Sequence, residues 1–236
     1  MNGQAGPARR SDRLYDVRTV DHPLRSRWEE LCERIGAFKK AHESDLTFEM
    51  LWTMYAHPPR AYHNLDHIAQ CLGVFDTVRM LAEDRDCVEF AIWLHDGVFF
   101  PERSDNEERS ADAASMIAGL LGCNAEFTSK VRELIAATRH HEEPTRGDTA
   151  LVADIDLSIL GQPWPVYDAY RRAIHDEYSW AGEDLFRNGR AAFLQRMLDK
   201  SNIFATGYFR KQLQSQAIEN MERELHEPDS GAGPKA

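Results

Sequence analysis

Along residues 65–83 the apolar positions Leu65, Ile68, Leu72, Phe75, Val78 and Leu81 recur every three or four residues, the spacing of one stripe on an α-helix. The same period returns through most of the chain. Ser44 and Asp45 stand before TFEMLWTMYA, which Pro58 and Pro59 close, so a helix is predicted there. The run EFAIWLH, Glu89 to His95, is too continuously apolar for a surface helix and predicts a central, buried element. From Ser104 to Leu121 cap-forming residues and acids come first, Ala113, Met116, Ile117 and Leu120 follow, and Gly122 ends the run. Thr128 opens a further helix with Val131, Leu134 and Ile135 inward and His140 and His141 at its end. Helical stretches follow at about 148–160, 163–179, 184–200 and 208–225, with Pro163 and Pro165 marking one start. Period-two alternation bounded by tight-turn dipeptides is missing, so the predicted fold class is all-α. Residues 1–13 and 227–236 are polar, carry Pro and Gly, lack any period, and predict disordered ends. Between them, 14–226 reads as a single domain without repeats or linkers.

Composition narrows the partners more than the fold. The 236 residues hold 28 Lys+Arg against 39 Asp+Glu, a formal net charge of −11, with 42% hydrophobic and 28% charged residues. That balance is globular, with material for a sizeable core. The acidic excess argues against nucleic acid polymers and anionic membranes, both of which demand a dense cationic face, but leaves a nucleotide-sized ligand open. No run approaches the roughly 18 apolar residues of a membrane helix, and MNGQAGPARRSDR has no apolar signal core; a soluble, cytoplasmic protein is expected. Cys32, Cys71, Cys87 and Cys123 are far apart, form no CxxC, and read as buried small hydrophobes.

The candidate chemistry sits in three segments. In the first, YHNLDHI, His63 and His67 are four apart at the start of the helical stripe; they share a face if the helix already includes His63, which otherwise sits in the preceding turn. In the second, His95-Asp96 ends the apolar run, where an unpaired carboxylate would be costly and a cation is the economical partner. In the third, Asp154 and Asp156 lie two apart in DIDLSILG, about 200° apart around a helix, so only one can face a given direction. The spacing alone leaves open which of the two faces a metal; the resemblance given below selects Asp156, and Asp154 then reads as a solvated or capping residue. Two imidazoles with two carboxylates suit Mn, Fe, Ni, Zn, Co or Mg with positions left for water, and do not suit calcium.

The order His67, then His95-Asp96, then a distal Asp resembles the HD superfamily of metal-dependent phosphohydrolases, all-α proteins that read H…HD…D. YHNxxH and the Asp156-Leu157-Ser158 context are similar to motifs of the cyclic-nucleotide phosphodiesterases. The wider run of YHNLDHI, HDGVFFPERSDNEERSA, AATRHH and DIDLSILG looks most like a bacterial group described as predicted HD phosphohydrolases, over roughly residues 14 to 225. The resemblance implies an HD-type helical bundle. It implies metal ligation by His67, His95, Asp96 and Asp156, with Asp96 bridging to any second cation and His63 protonating the leaving oxygen. His140 and His141 fall where the family holds second-metal ligands or water contacts. However, after His141 the next histidine is His175, beyond the distal Asp, so a mononuclear site, or a second ion held largely by Asp96 and water, fits better.

The function so implied is hydrolysis of a phosphoester or phosphoanhydride bond in a small phosphorylated metabolite, a nucleotide before others. An HD-fold iron oxygenase and a non-catalytic metal- or nucleotide-binding module are the alternatives. Glu108 and Asn106 are further candidates near the metal water, although their stretch also reads as a helix start. Phe99 and Phe100 are candidates for stacking on a base, with closure of the core as the alternative. Arg109, Lys200 and Arg190 are candidates for phosphate, each of a type more often found on the surface. A homodimer is allowed.

Overall fold

A computed structural model of the chain describes residues 22–37, 41–56, 60–139 and 146–227. These contain ten α-helices and no strand: α1 Pro23–Arg34, α2 Ala41–Ala56, α3 Leu65–Val78, α4 Arg85–Leu94, α5 Asn106–Leu120, α6 Ala125–Ala136, α7 Gly147–Leu157, α8 Trp164–Glu177, α9 Glu183–Leu198 and α10 Gly207–His226. Short 3-10 turns extend several of them, among them Ser158–Gly161 after α7. No described helix is long and apolar enough to cross a membrane. The expected disordered ends lie outside the described residues except Glu227, as do Pro58 and Pro59.

α4 is the axis of the bundle. Asp84 caps it by accepting the Cys87 amide, and every residue from Cys87 to Leu94 is buried. It packs on α1, α3, α5, α6 and α7, so each face meets a neighbour. Burying Phe90, Trp93 and Leu94 contributes about 1.5–3 kcal/mol each before chain entropy is counted. Glu89, on the same helix, is 1% exposed and satisfied by Arg27, Arg34 and Arg79 at 2.6–3.0 Å. A run that looks purely apolar thus holds a charge, which is tolerable because three guanidinium groups converge on it.

Several helix boundaries differ from the sequence-based expectations. α1 carries no strong periodic signal, yet it exists: His22 caps it through Nδ1, Pro23 opens it, and Trp28, Leu31 and Cys32 bury its inner face. α2 begins at Ala41, so Ser44 and Asp45 lie inside it rather than capping it. There the Thr47 hydroxyl bonds back to the Glu43 and Ser44 carbonyls and accepts the Trp28 indole N–H. α6 starts at Ala125, because Asn124 accepts the Phe127 amide and takes the capping role expected near Thr128. α5 stops where expected, with Gly122 at φ 77°.

The C-terminal helices are tied to α7. Asp154 is 1% exposed, not solvated, and its two oxygens accept the amides of Ala205 and Thr206 at 2.7 Å each. Thr206 in turn caps α10. α10 also packs closely on the 158–161 turn: a Cβ at Gly161 would fall 2.5 Å from Leu213 Cβ and 2.8 Å from its carbonyl oxygen. Only glycine permits that approach.

Candidate metal centre

Asn64 decides how the first segment is used. Its side-chain oxygen accepts the amides of Asp66 and His67, which starts α3 at Leu65. His63 is therefore in the turn before the helix, while His67 stands in its first turn and points inward, 2% exposed. His95 follows the last residue of α4, also 2% exposed, and Asp96 follows it. Asp156 comes from the last turn of α7, opposite Asp154, as the two-residue offset requires.

These four side chains converge. His67 Nε2 lies 3.2 Å from Asp156 Oδ1 and 3.5 Å from Asp96 Oδ2; His95 Nε2 lies 3.4 Å and 3.1 Å from the same atoms. The two Nε2 atoms are 3.2 Å apart. Donors bound to one cation at about 2.1 Å sit about 3.0 Å apart when cis in an octahedron and about 3.4 Å apart in a tetrahedron, so the spacing fits a single ion. The His95 Nδ1 lies 2.9 Å from the Ile92 carbonyl, an acceptor, which leaves Nε2 as the nitrogen that faces the cluster.

His67, Cys71, His95 and Asp156 together form a group able to hold a metal ion, with ligand atoms within 4.8 Å of one another. Cys71 thus sits at the cluster as well as being a buried core residue. Its sulfur is 3.7 Å from His67 Nε2 and 3.8 Å from Nδ1, so it flanks the ring instead of facing one lone pair. Asp96 approaches both Nε2 atoms more closely than Cys71 approaches His67, and completes a nitrogen and oxygen set around the same point. Burial acts to lower His67 and His95, yet the negative groups facing them raise both well above the ordinary imidazole value, so protons occupy the cluster until a cation displaces them. Burial acts to raise the Asp96 carboxyl, but the charges of His95 and His63 and the hydrogen bonds of His67 and His95 hold it well below the usual range.

His63 is placed by residues that carry no motif. Glu177, at the end of α8, takes His63 Nδ1 at 2.5 Å on one oxygen and the amides of Tyr62 and His63 at 3.3 and 3.2 Å on the other. The Phe99 ring stacks on the imidazole, centroids 3.9 Å apart at 24°. Arg60 ties two segments together: its Nη1 donates to the carbonyls of His63 and Asp96 at 3.0 and 2.6 Å, and Nη2 donates to Gly97 at 3.1 Å. Neither Arg60 nor Glu177 stands out in the sequence. Arg60 lies two residues before YHNxxH, and that adjacency is the one available signal; Glu177 reads as an ordinary helix-surface acid.

Other candidates are engaged elsewhere. The Asn106 amide is held by the 97–105 loop, accepting the Phe100 N–H at 3.0 Å and donating to the Phe100 carbonyl at 2.9 Å. Glu108 is exposed, 4.0 Å from Arg139. Arg109 pairs at the surface with Asp105, and Arg190 is buried against Glu224 and the Tyr170 hydroxyl. Lys200 is half-buried after α9 and does not line the cavity beside the cluster. Phe99 is sealed by His63, 8% exposed. His140 and His141 lie outside the described residues. Cys32 and Cys87 are buried as expected, whereas Cys123 is only half-buried.

A cavity of about 460 Å³ opens beside the cluster, bordered by His67, Cys71 and Asp156 and extending between α3 and the start of α10. No family model matches this chain, and no curated protein or solved structure matches it either.

Proposed function

We propose that this chain is a metal-dependent phosphohydrolase of the HD type, cleaving a phosphoester or phosphoanhydride bond in a small phosphorylated metabolite of the nucleotide class. One observation carries the reading: two imidazole nitrogens each lie 3.1–3.5 Å from both of two carboxylate oxygens, drawn from three helices in the order H…HD…D. His67, His95, Asp96 and Asp156 would hold one divalent cation, and Cys71 borders them. When bound, such a cation supplies Lewis acidity, lowering the pKa of water and offsetting charge on phosphoryl oxygens. The chain does the rest. Arg60 fixes the backbone of both histidine-bearing segments, so the donors keep their spacing. Glu177 holds His63 through Nδ1, which leaves Nε2 to deliver a proton to the leaving oxygen. Phe99 covers one face of that ring and limits its rotation.

Elemental analysis of the purified protein, followed by phosphate release from nucleotides and phosphate esters under Mn, Mg, Ni and Co, tests the reading. Substitution of His95 or Asp96 by Ala is expected to remove metal and turnover together. His63→Ala should keep the metal and lower kcat about 10²–10⁴-fold. Full hydrolysis by metal-free protein would overturn it. Two irons per chain with an oxygen-dependent reaction would favour an oxygenase instead.

A further inference from the structure

The cavity beside the cluster has a chemistry of its own, and the occupant inferred for it rests on the phosphohydrolase reading. One wall is α3, another is the start of α10, and residues 158–166 lie between them. Its volume of about 460 Å³ falls in the range of small-molecule sites. Away from the cluster the polar groups on its walls are neutral, among them Gln70, Thr77, Gln162 and Gln212, interspersed with apolar Val74 and Ile159. Among the described lining residues there is no Lys or Arg.

One cation held by the cluster would meet one phosphoryl group at the neck of the cavity. Glu177 faces His63, and the Arg60 guanidinium is turned to three backbone carbonyls. A second or third phosphoryl group in this cavity would meet no described cation on its walls, and an unpaired charge out of water is costly. An uncharged body with hydrogen-bonding groups meets amides, hydroxyls and apolar surface along these walls.

Two further features point to an occupant. The Tyr62 hydroxyl is buried without a hydrogen-bond partner, and the residue is among those lining the cavity, with its ring 4.8 Å from that of His67. A buried hydroxyl left unsatisfied is unfavourable, and a ligand oxygen would satisfy it. Gly73 lies in the middle of α3 on the cavity wall, and a Cβ there would touch nothing within 4 Å. Neither a turn nor close packing calls for glycine at this helix position, where it is unfavourable. Its missing side chain leaves that wall open.

We propose that the cavity takes the uncharged, hydrogen-bonding body of a monophosphate ester of nucleoside size, with the Tyr62 hydroxyl donating to a substrate oxygen at the neck and Gly73 leaving room for the body.

The full chain loaded with Mn²⁺ is assayed for phosphate release from the mono-, di- and triphosphates of the four ribonucleosides and from p-nitrophenyl phosphate. At least one monophosphate should be the best of its series, with kcat/KM falling about tenfold or more for each added phosphoryl group. Gly73→Leu should keep metal content and helical circular dichroism, raise KM for that monophosphate about tenfold, and abolish binding of the free ribonucleoside seen by saturation-transfer NMR. Tyr62→Phe should lower kcat/KM about tenfold with metal retained. Di- or triphosphates hydrolysed as well as monophosphates would overturn the proposal alone, as would wild-type nucleoside binding by Gly73→Leu. Hydrolysis of p-nitrophenyl phosphate with no ribonucleoside monophosphate cleaved would do the same. If nothing is cleaved, p-nitrophenyl phosphate included, the phosphohydrolase reading falls and takes this proposal with it.

Discussion

Glu177 grips His63 twice, taking the ring through Nδ1 with one carboxylate oxygen and the His63 amide with the other, across 114 residues of sequence. An imidazole held at both ring and backbone cannot turn its nitrogens over, so the tautomer and direction of Nε2 follow from a residue on another helix.

Glu177→Gln keeps the shape but removes the carboxylate charge that faces His63 Nδ1. We expect kcat to fall about 10–100-fold with metal content unchanged. Steady-state kinetics with elemental analysis on the same preparation checks this, and an unchanged kcat would reduce Glu177 to a fold-supporting role.

Acid should weaken the fold through two buried carboxylates. Burial acts to raise Glu177, but its hydrogen bond to His63 and the charge of that ring outweigh it; burial acts likewise on Glu224, outweighed by Arg190 and by the Tyr167 hydroxyl. Both therefore sit below their ordinary value of 4.5. A carboxyl depressed in the folded state contributes stability that is complete above the unfolded value and is lost as pH falls through the folded one. Urea midpoints should hold above about pH 5 and drop below about pH 4.5. The drop should be shallower in Glu177→Gln and Glu224→Gln.

Asp154 and Asp156 should separate stability from metal. Asp154→Ala strands the amides of Ala205 and Thr206, for a loss of about 2–3 kcal/mol in urea unfolding. Asp156→Ala leaves the fold near wild-type stability in the metal-free form but removes a donor. Metal content per folded chain should therefore fall in Asp156→Ala and persist in Asp154→Ala.

Cation binding should appear as thermal stabilisation. A ligand that binds only the folded state at 100 times its Kd adds about 2.7 kcal/mol. Scanning calorimetry with and without Mn²⁺ should show a Tm rise that chelation reverses and that is absent in His95→Ala.

The helical class was legible because its period is written along α3 and repeated downstream, with acids, caps and Gly122 at boundaries. α1 was not, since Trp28, Leu31 and Cys32 are too few to stand out among its charges. At the centre, His67, His95, Asp96 and Asp156 could be named together because their order in the chain resembles a known pattern. What supports them could not. Arg60 acts through backbone carbonyls and Glu177 through a distant helix end, and neither relation leaves a local spacing. Asn106 and Glu108 show the opposite error: polar residues near a motif in sequence are turned by the 97–105 loop to its own backbone and to Arg139.

The amides that Asp154 receives from Ala205 and Thr206 also bear on synthesis. The chain emerges N-terminus first, so His67, His95, Asp96 and Asp156 all leave the ribosome before the partners that steady α7 exist. A nascent chain short of Ala205 and Thr206 holds all four of these residues while Asp154, two positions from Asp156, lacks the amides that it accepts in the fold. On the metal-binding reading, capture in the native geometry would wait for α10, and a product ending before Thr206 would carry His67, His95, Asp96 and Asp156 without the support that positions them.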